Sequence, residues 1–195
     1  MKSHMRVAAP IIAVGVVLLA GQSRAAKADT YKVDPVHSFA LFSIHHFNAG
    51  NVWGRFNGPA GDFTLDPADP GKDAFHVELK LANLDTGNAK RDADLKGPDW
   101  FNARQHPAIT FKSTSVKKGE GNMLDVTGAL TIHGVTKSAV VAVELTGTAA
   151  DPFGNIRSGI QGTTTIKRSD FGMKAMPGAV GDEVRLIVAM EGIKQ

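Results

Sequence analysis

The chain is expected to fold as an all-β protein, an antiparallel barrel or sandwich of about eight strands with a short helical insert. Three observations point there. Period-two alternation dominates: in Ala74–Leu81, Phe75, Val77, Leu79 and Leu81 face one way while His76, Glu78 and Lys80 face the other. Clusters of turn-forming residues separate such runs at hairpin spacing. One segment alone, Asn88–Ala103, loses the alternation.

In chain order, the expected strands are Val36–Phe47, Val52–Leu65, Ala74–Leu81, Ala108–Val116, Leu124–Ile132, Val135–Thr148, Ile156–Ile166 and Val184–Met190. The clearest hairpin is Gly128–Lys137. Leu130 and Ile132 alternate with polar neighbours, His133-Gly134 interrupts, and alternation resumes at Val135. A connection that tight needs a positive φ, which glycine adopts freely. Longer turns are marked by Asp66-Pro67-Ala68-Asp69-Pro70-Gly71, Lys118-Gly119-Glu120-Gly121-Asn122, Asp151-Pro152-Phe153-Gly154-Asn155 and Pro177-Gly178-Ala179. Within Asn88–Ala103, Gly97-Pro98 would end one helical turn and begin another, so two short helical pieces are expected across one end of the sheet. Leu95, Trp100 and Phe101 would cover that opening as a lid or plug, or simply close the core.

Residues 1–28 read as a leader rather than as part of the domain. Lys2 and Arg6 precede the apolar run Ile11–Ala20, and Ala26-Lys27-Ala28 offers a cleavage site ahead of Asp29. The run falls short of the roughly 20 apolar residues that span a bilayer. The leader carries Lys2, Arg6, Arg24 and Lys27 and no acid, so its removal turns a formal net charge of +3 into −1. A domain near neutrality offers nucleic acid no electrostatic attraction. Cysteine is absent, which excludes thiol nucleophiles, iron–sulfur centres and thiolate zinc sites. The rest, 29–195, counts as one domain.

Little in the sequence points to catalysis. His45 and His46 are adjacent, so a regular strand aims them at opposite faces. His37 shares the parity of His45, but eight residues of strand span roughly 26 Å, too far to chelate one ion. One inward-facing histidine would instead be a polar point in an apolar interior. Ser38 adjoins His37 and lies near Asp34, but sequence neighbours seldom build a triad, and Arg157-Ser158-Gly159 lacks the first glycine of a nucleophile elbow. No Gly-rich phosphate cradle precedes a helix. No catalytic residue, metal or cofactor is assigned. The chain's apolar bulk is largely aromatic, with 10 Phe, 2 Trp and 1 Tyr. Phe39, Phe42, Phe56, Phe63, Phe75, Phe111 and Phe171 fall on or beside strands, which suits either a filled core or an apolar tunnel.

Six motifs occur together in order: Val33-Asp34-Pro35-Val36-His37-Ser38, Trp53-Gly54-Arg55-Phe56-Asn57-Gly58, Asp94-Leu95 through Asp99-Trp100-Phe101, His106-Pro107-Ala108-Ile109-Thr110-Phe111-Lys112-Ser113, Gly128–Lys137, and Arg168-Ser169-Asp170-Phe171-Gly172. With them the chain, from about Tyr31 onward, resembles the YceI-like family of bacterial, often periplasmic proteins. The resemblance implies a closed lipocalin-like barrel and a hollow interior that carries a long isoprenoid lipid, a polyprenyl diphosphate or a quinone. It further implies a periplasmic location, a link to quinone redox or stress response, and contact with a membrane cytochrome of the b561 type, and leaves a homodimer open. Candidate ligand-binding residues are Phe39, Phe42, His45, Phe56, Arg91, Trp100, Phe101, Phe111, Leu130 and Phe171. Phe39 and Phe42 have opposite parity, so both can face inward only across a bulge. Arg91-Asp92-Ala93-Asp94-Leu95 departs from the family's Arg-Asp-x-His-Leu, and an aspartate at 94 would repel a diphosphate. The rival readings are an enzyme acting on a lipid or small metabolite in the barrel, and an interaction protein with a filled core.

Overall fold

The computed structural model describes residues 27–195, so all but the last two residues of the expected leader lie outside the described residues. The first half contains β1 (Asp29–Val33), β2 (Phe39–His46), β3 (Gly50–Asn57), β4 (Ala60–Leu65), β5 (Ala74–Lys80), β6 (Leu84–Asp85) and the helix α1 (Ala89–Lys96). The second half contains β7 (Ala108–Lys118), β8 (Met123–Ile132), β9 (Val135–Ala150), β10 (Ile156–Lys167) and β11 (Val180–Lys194). Every pairing is antiparallel between neighbours, and β1 closes the ring by pairing with both β4 and β11. The result is an eight-strand barrel in which three staves are broken. β1 and β2 form one stave, β3 and β4 the next, and β5 with the short β6 a third.

The breaks have local causes. Pro35 cannot donate to a ladder, and Asp34 turns the chain there by accepting the Val36 amide at 3.0 Å. Gly58, at φ 60°, and Pro59 interrupt the second stave. Between β5 and β6, a single 3-10 turn buries Leu81 completely. At the β8–β9 connection His133 and Gly134 sit at φ 51° and 74°, and Ile132 pairs directly with Val135, so the loop has the two left-handed residues that a tight hairpin requires. In place of two helical pieces there is one. After α1, the chain from Gly97 to His106 closes as successive turns, with Trp100 and Asn102 both donating to the Gly97 carbonyl and Asn102 at φ 46°.

Inward-facing residues fall into two apolar clusters stacked along the barrel. One end is filled by Tyr31, Phe63, Phe75, Leu124, Val126 and their neighbours, with the Tyr31 and Phe63 rings stacked at 5.2 Å. The other contains Phe42, Phe56, Leu84, Ile109, Ile132 and Phe171, and the segment after β6 lies over it through Leu95 and Phe101. The interior is thus closed at one end and capped by α1 and its following turns at the other.

Candidate functional site

Between the two clusters the barrel is hollow. An inner chamber of about 110 Å³ is walled by Val77, Phe111, Val126, Ile160 and Val188 among others. A second chamber of about 260 Å³ opens toward the capped end. Both share Phe56, Ile109, Ile132 and Leu186 as walls, so the two chambers adjoin, and together they are termed the passage. Nearly all of the inner section is hydrocarbon. Its one hydroxyl, on Thr164, already donates to the Val140 carbonyl at 2.8 Å. All other polar side chains of the wall lie in the outer section, where His46, Thr86, Arg91, Asp94, Trp100 and Arg168 join it.

Alternation decides which residues reach this passage. Ala40, Phe42, Ile44 and His46 point inward from β2, and Val52, Gly54 and Phe56 point inward from β3. The Phe42 ring lies 5.7 Å from Phe56 and directly over Gly54, where an added Cβ would clash with the ring. Phe101 meets Phe56 edge-on at 6.1 Å. Phe42, Phe56, Trp100, Phe101, Phe111, Leu130 and Arg91 all line the passage.

Three of the candidate residues lie elsewhere. Phe39 faces outward and is 46% exposed, because β2 pairs with β3 without a register shift and no bulge brings Phe39 to the side of Phe42. His45 shares that outer face, with its Nδ1 3.3 Å from the Asn51 side-chain oxygen, while His46 is the inward histidine. Phe171 is fully buried in packing beside the gap where β9 and β10 separate, and walls neither chamber. Ser38 is likewise no nucleophile partner of His37. Its hydroxyl bonds the backbone of Glu191, and His37 bonds Asp34 at 2.8 Å.

Two arginines shape the mouth. Arg91, in the first turn of α1, donates to the Thr86 hydroxyl at 2.8 Å and to its carbonyl at 2.6 Å. The Asn88 side chain caps the helix by accepting the Arg91 amide. Arg168 opens the Arg168–Gly172 motif and is not among the residues that the sequence marks as ligand-binding. It is only 5% exposed and donates to the carbonyls of Gly181, Met173 and Val180 at 2.8, 2.8 and 3.0 Å. No carboxylate among the described residues forms an ion pair with it. The nearby Asp182 carboxyl is held below its usual range first by hydrogen bonds from Ser169, with Arg168 adding a smaller field. Carbonyl dipoles and the face of Trp100 thus offset a buried positive charge. One signal was available in sequence: Ile160, Gly162, Thr164 and Ile166 face inward, and the same parity extended one step reaches Arg168.

The YceI-like domain model matches residues 31–192. The chain belongs to the YceI-like family. Relatives include the UPF0312 protein of Pseudomonas aeruginosa LESB58, 40% identical over 187 residues that cover 94% of this chain and 96% of that protein. Another, from Pectobacterium carotovorum, is 39% identical over 187 residues, 95% of each chain. Among solved structures, Burkholderia cenocepacia BcnA superposes with a TM-score of 0.75 at 26% identity, covering 82% of this chain and 98% of BcnA. The Campylobacter jejuni YCEI protein gives 0.70 at 30% identity, covering 77% and 90%. A polyisoprenoid binding domain from Saccharophagus degradans implicated in plant cell wall breakdown gives 0.65 at 16% identity, covering 85% and 98%. As a YceI-like barrel the chain therefore has relatives over nearly its whole length.

Proposed function

We propose that this YceI-like protein binds one long-chain isoprenoid lipid, the tip of its chain in the inner section of the passage and the rest running back through the outer section to a polar end at the mouth. The supporting observation is the segregation of the wall: hydrocarbon in the inner section apart from the already bonded Thr164 hydroxyl, with the other polar side chains toward the opening. Each CH₂-sized unit moved from water into such a wall is favourable by about 0.8 kcal/mol, so a long chain binds tightly without any polar anchor. The Saccharophagus barrel, described as polyisoprenoid binding, has the same fold. A binding protein rather than an enzyme fits: the mouth hydroxyl that meets a carboxylate, Thr86 on Asp92, also accepts from the Arg91 guanidinium and serves to fix the start of α1.

Hydrogen bonding favours a neutral head group. Arg91 and Arg168 outnumber the one wall carboxylate, Asp94, but both already commit guanidinium donors to the protein, Arg91 to Thr86 and Arg168 to three backbone carbonyls. A diphosphate would bring at least two negative charges to a wall that already holds an acid, whereas a quinone carbonyl needs only a hydrogen-bond donor. We therefore favour an isoprenoid quinone over a polyprenyl diphosphate. The expected leader would put this carrier in the periplasm, where exchange with a membrane cytochrome of the b561 type and a role in quinone redox or stress response would follow.

The test is to block the passage. Leu186 belongs to both sections, so Leu186→Trp should fill their junction at an overpacking cost of about 1–3 kcal/mol. Affinity for a long-chain prenyl quinone is expected to fall at least tenfold, while a short-chain analogue still binds at the mouth. Unchanged long-chain affinity in a folded variant would overturn the proposal.

A further inference from the structure

The mouth carries an apolar lip that is about half exposed. Phe47, in the β2–β3 turn, is 59% exposed, and Met176, in the loop before β11, is 49% exposed. The two loops are joined: the Phe47 amide donates to the Ala179 carbonyl at 2.7 Å, and the amides of Ala179 and Val180 close back onto the Met176 carbonyl at 3.2 and 3.0 Å. Met176 also walls the outer section of the passage, so the lip is continuous with the interior. Trp53 lies 49% exposed on the outer face of β3, three residues behind Gly50, or roughly 10 Å behind the tip.

Backbone conformation makes the placement more telling. Phe47 and Met176 sit at φ 50° and 49°, a region that glycine and asparagine enter at less cost. Bulky apolar side chains thus stand at two strained positions, Phe47 with its ring against His46 at 4.0 Å and Met176 at the edge of the passage, each leaving about half its surface to solvent. The opposite end of the barrel supplies the contrast. Phe153 is 87% exposed there, but it rides the β9–β10 turn beside the ionised Asp151 and Arg157, far from any opening.

We propose that the Phe47–Met176 lip docks on a lipid bilayer, with Phe47 and Met176 entering the acyl boundary and Trp53 at headgroup depth. An aromatic ring with one polar edge suits that depth. Docking mouth-down lets an isoprenoid chain pass from membrane to passage without crossing water, and in this respect the inference rests on the interior-binding reading above. Lys174 and Asp182 flank the lip with opposite charges, so attachment comes from apolar insertion rather than from anionic lipid.

The test uses the purified protein and phosphatidylcholine vesicles in flotation, with no prenyl compound present. Wild type is expected to float, and the double variant Phe47→Asn/Met176→Asn to lose at least tenfold in partitioning. Asparagine relaxes both left-handed positions, so the variant should melt no lower than wild type and misfolding cannot mimic the loss. Phe153→Ser is expected to float as wild type does. Failure of wild type to float, equal flotation of the double variant, equal loss in Phe153→Ser, or a lip that instead drives self-association of wild type in sedimentation would each overturn the proposal. Retention of a prenyl quinone by wild type in vesicle-free solution is read separately, so failure of interior binding is distinguished from failure of docking.

Discussion

The guanidinium carbon of Arg168 lies 5.4 Å from the centroid of the Trp100 ring. Through this contact and three carbonyl bonds, one cation joins the end of β10, Met173, the start of β11 and the turns that cap the barrel. The mouth is therefore a single connected structure rather than a set of independent loops.

Trp100→Ala should test whether the cap is a gate. The ring is half-buried and faces the passage, so its loss should cost about 1–3 kcal/mol in denaturant unfolding, less than a fully buried tryptophan would. Faster release of bound lipid with the fold intact would make the segment a gate. Unchanged uptake and release would make it a plug.

Arg168→Met leaves one buried and two half-buried carbonyls without their donor and should destabilise the protein by about 2–4 kcal/mol in urea unfolding. Arg168→Lys restores the charge but cannot reach three acceptors with a planar fork, so it should recover only part of the loss. Equal stability of Met and Arg forms would show that the guanidinium does not hold the mouth together.

Gly54→Ala places a methyl group against the Phe42 ring and should cost about 1–3 kcal/mol by overpacking. The ring can only shift into the outer section of the passage, so lipid affinity should fall along with the melting temperature. An unshifted affinity would mean that the outer section does not contact cargo.

Acid should destabilise the closed end. The Asp34 carboxyl is held well below its ordinary value of 3.8, chiefly by a hydrogen bond from Arg157 and then by His37. Asp151 is held low too, first by Asn155 and also by Arg157. A carboxyl with a depressed folded pKa contributes stability that is complete above its unfolded value and is lost as pH falls through and below about 4. Unfolding free energy measured from pH 5 down to pH 2 should therefore drop, and Arg157→Ala should flatten that dependence. A wild-type curve flat in this window would contradict the assignment.

Much of the architecture was legible because inside and outside differ by one residue. The runs around Phe75–Leu79 and Leu124–Ile132 announce their inner faces, and His133-Gly134 announces its turn. Strand breaks are harder to see. Pro35 and Gly58-Pro59 interrupt the ladders while each stave continues, and β1 ahead of the first break was not expected. The misplaced Phe39 and His45 come from counting two opposite parities on one strand as both inward. Phe171 looked like wall, but the 3-10 turn from Arg168 to Phe171 buries it in packing instead. Whether the interior is hollow depends on how rings such as Phe42, Phe56 and Phe111 lie over their neighbours, which no pattern of residue types encodes.

The most direct measurement is native mass spectrometry of the protein purified from its own host without detergent. Wild type should carry one non-covalent lipid whose fragments show an isoprenoid repeat and a neutral head group, and Leu186→Trp should emerge without it. A wild-type protein free of lipid, or an adduct that persists unchanged in Leu186→Trp, would contradict binding within the barrel.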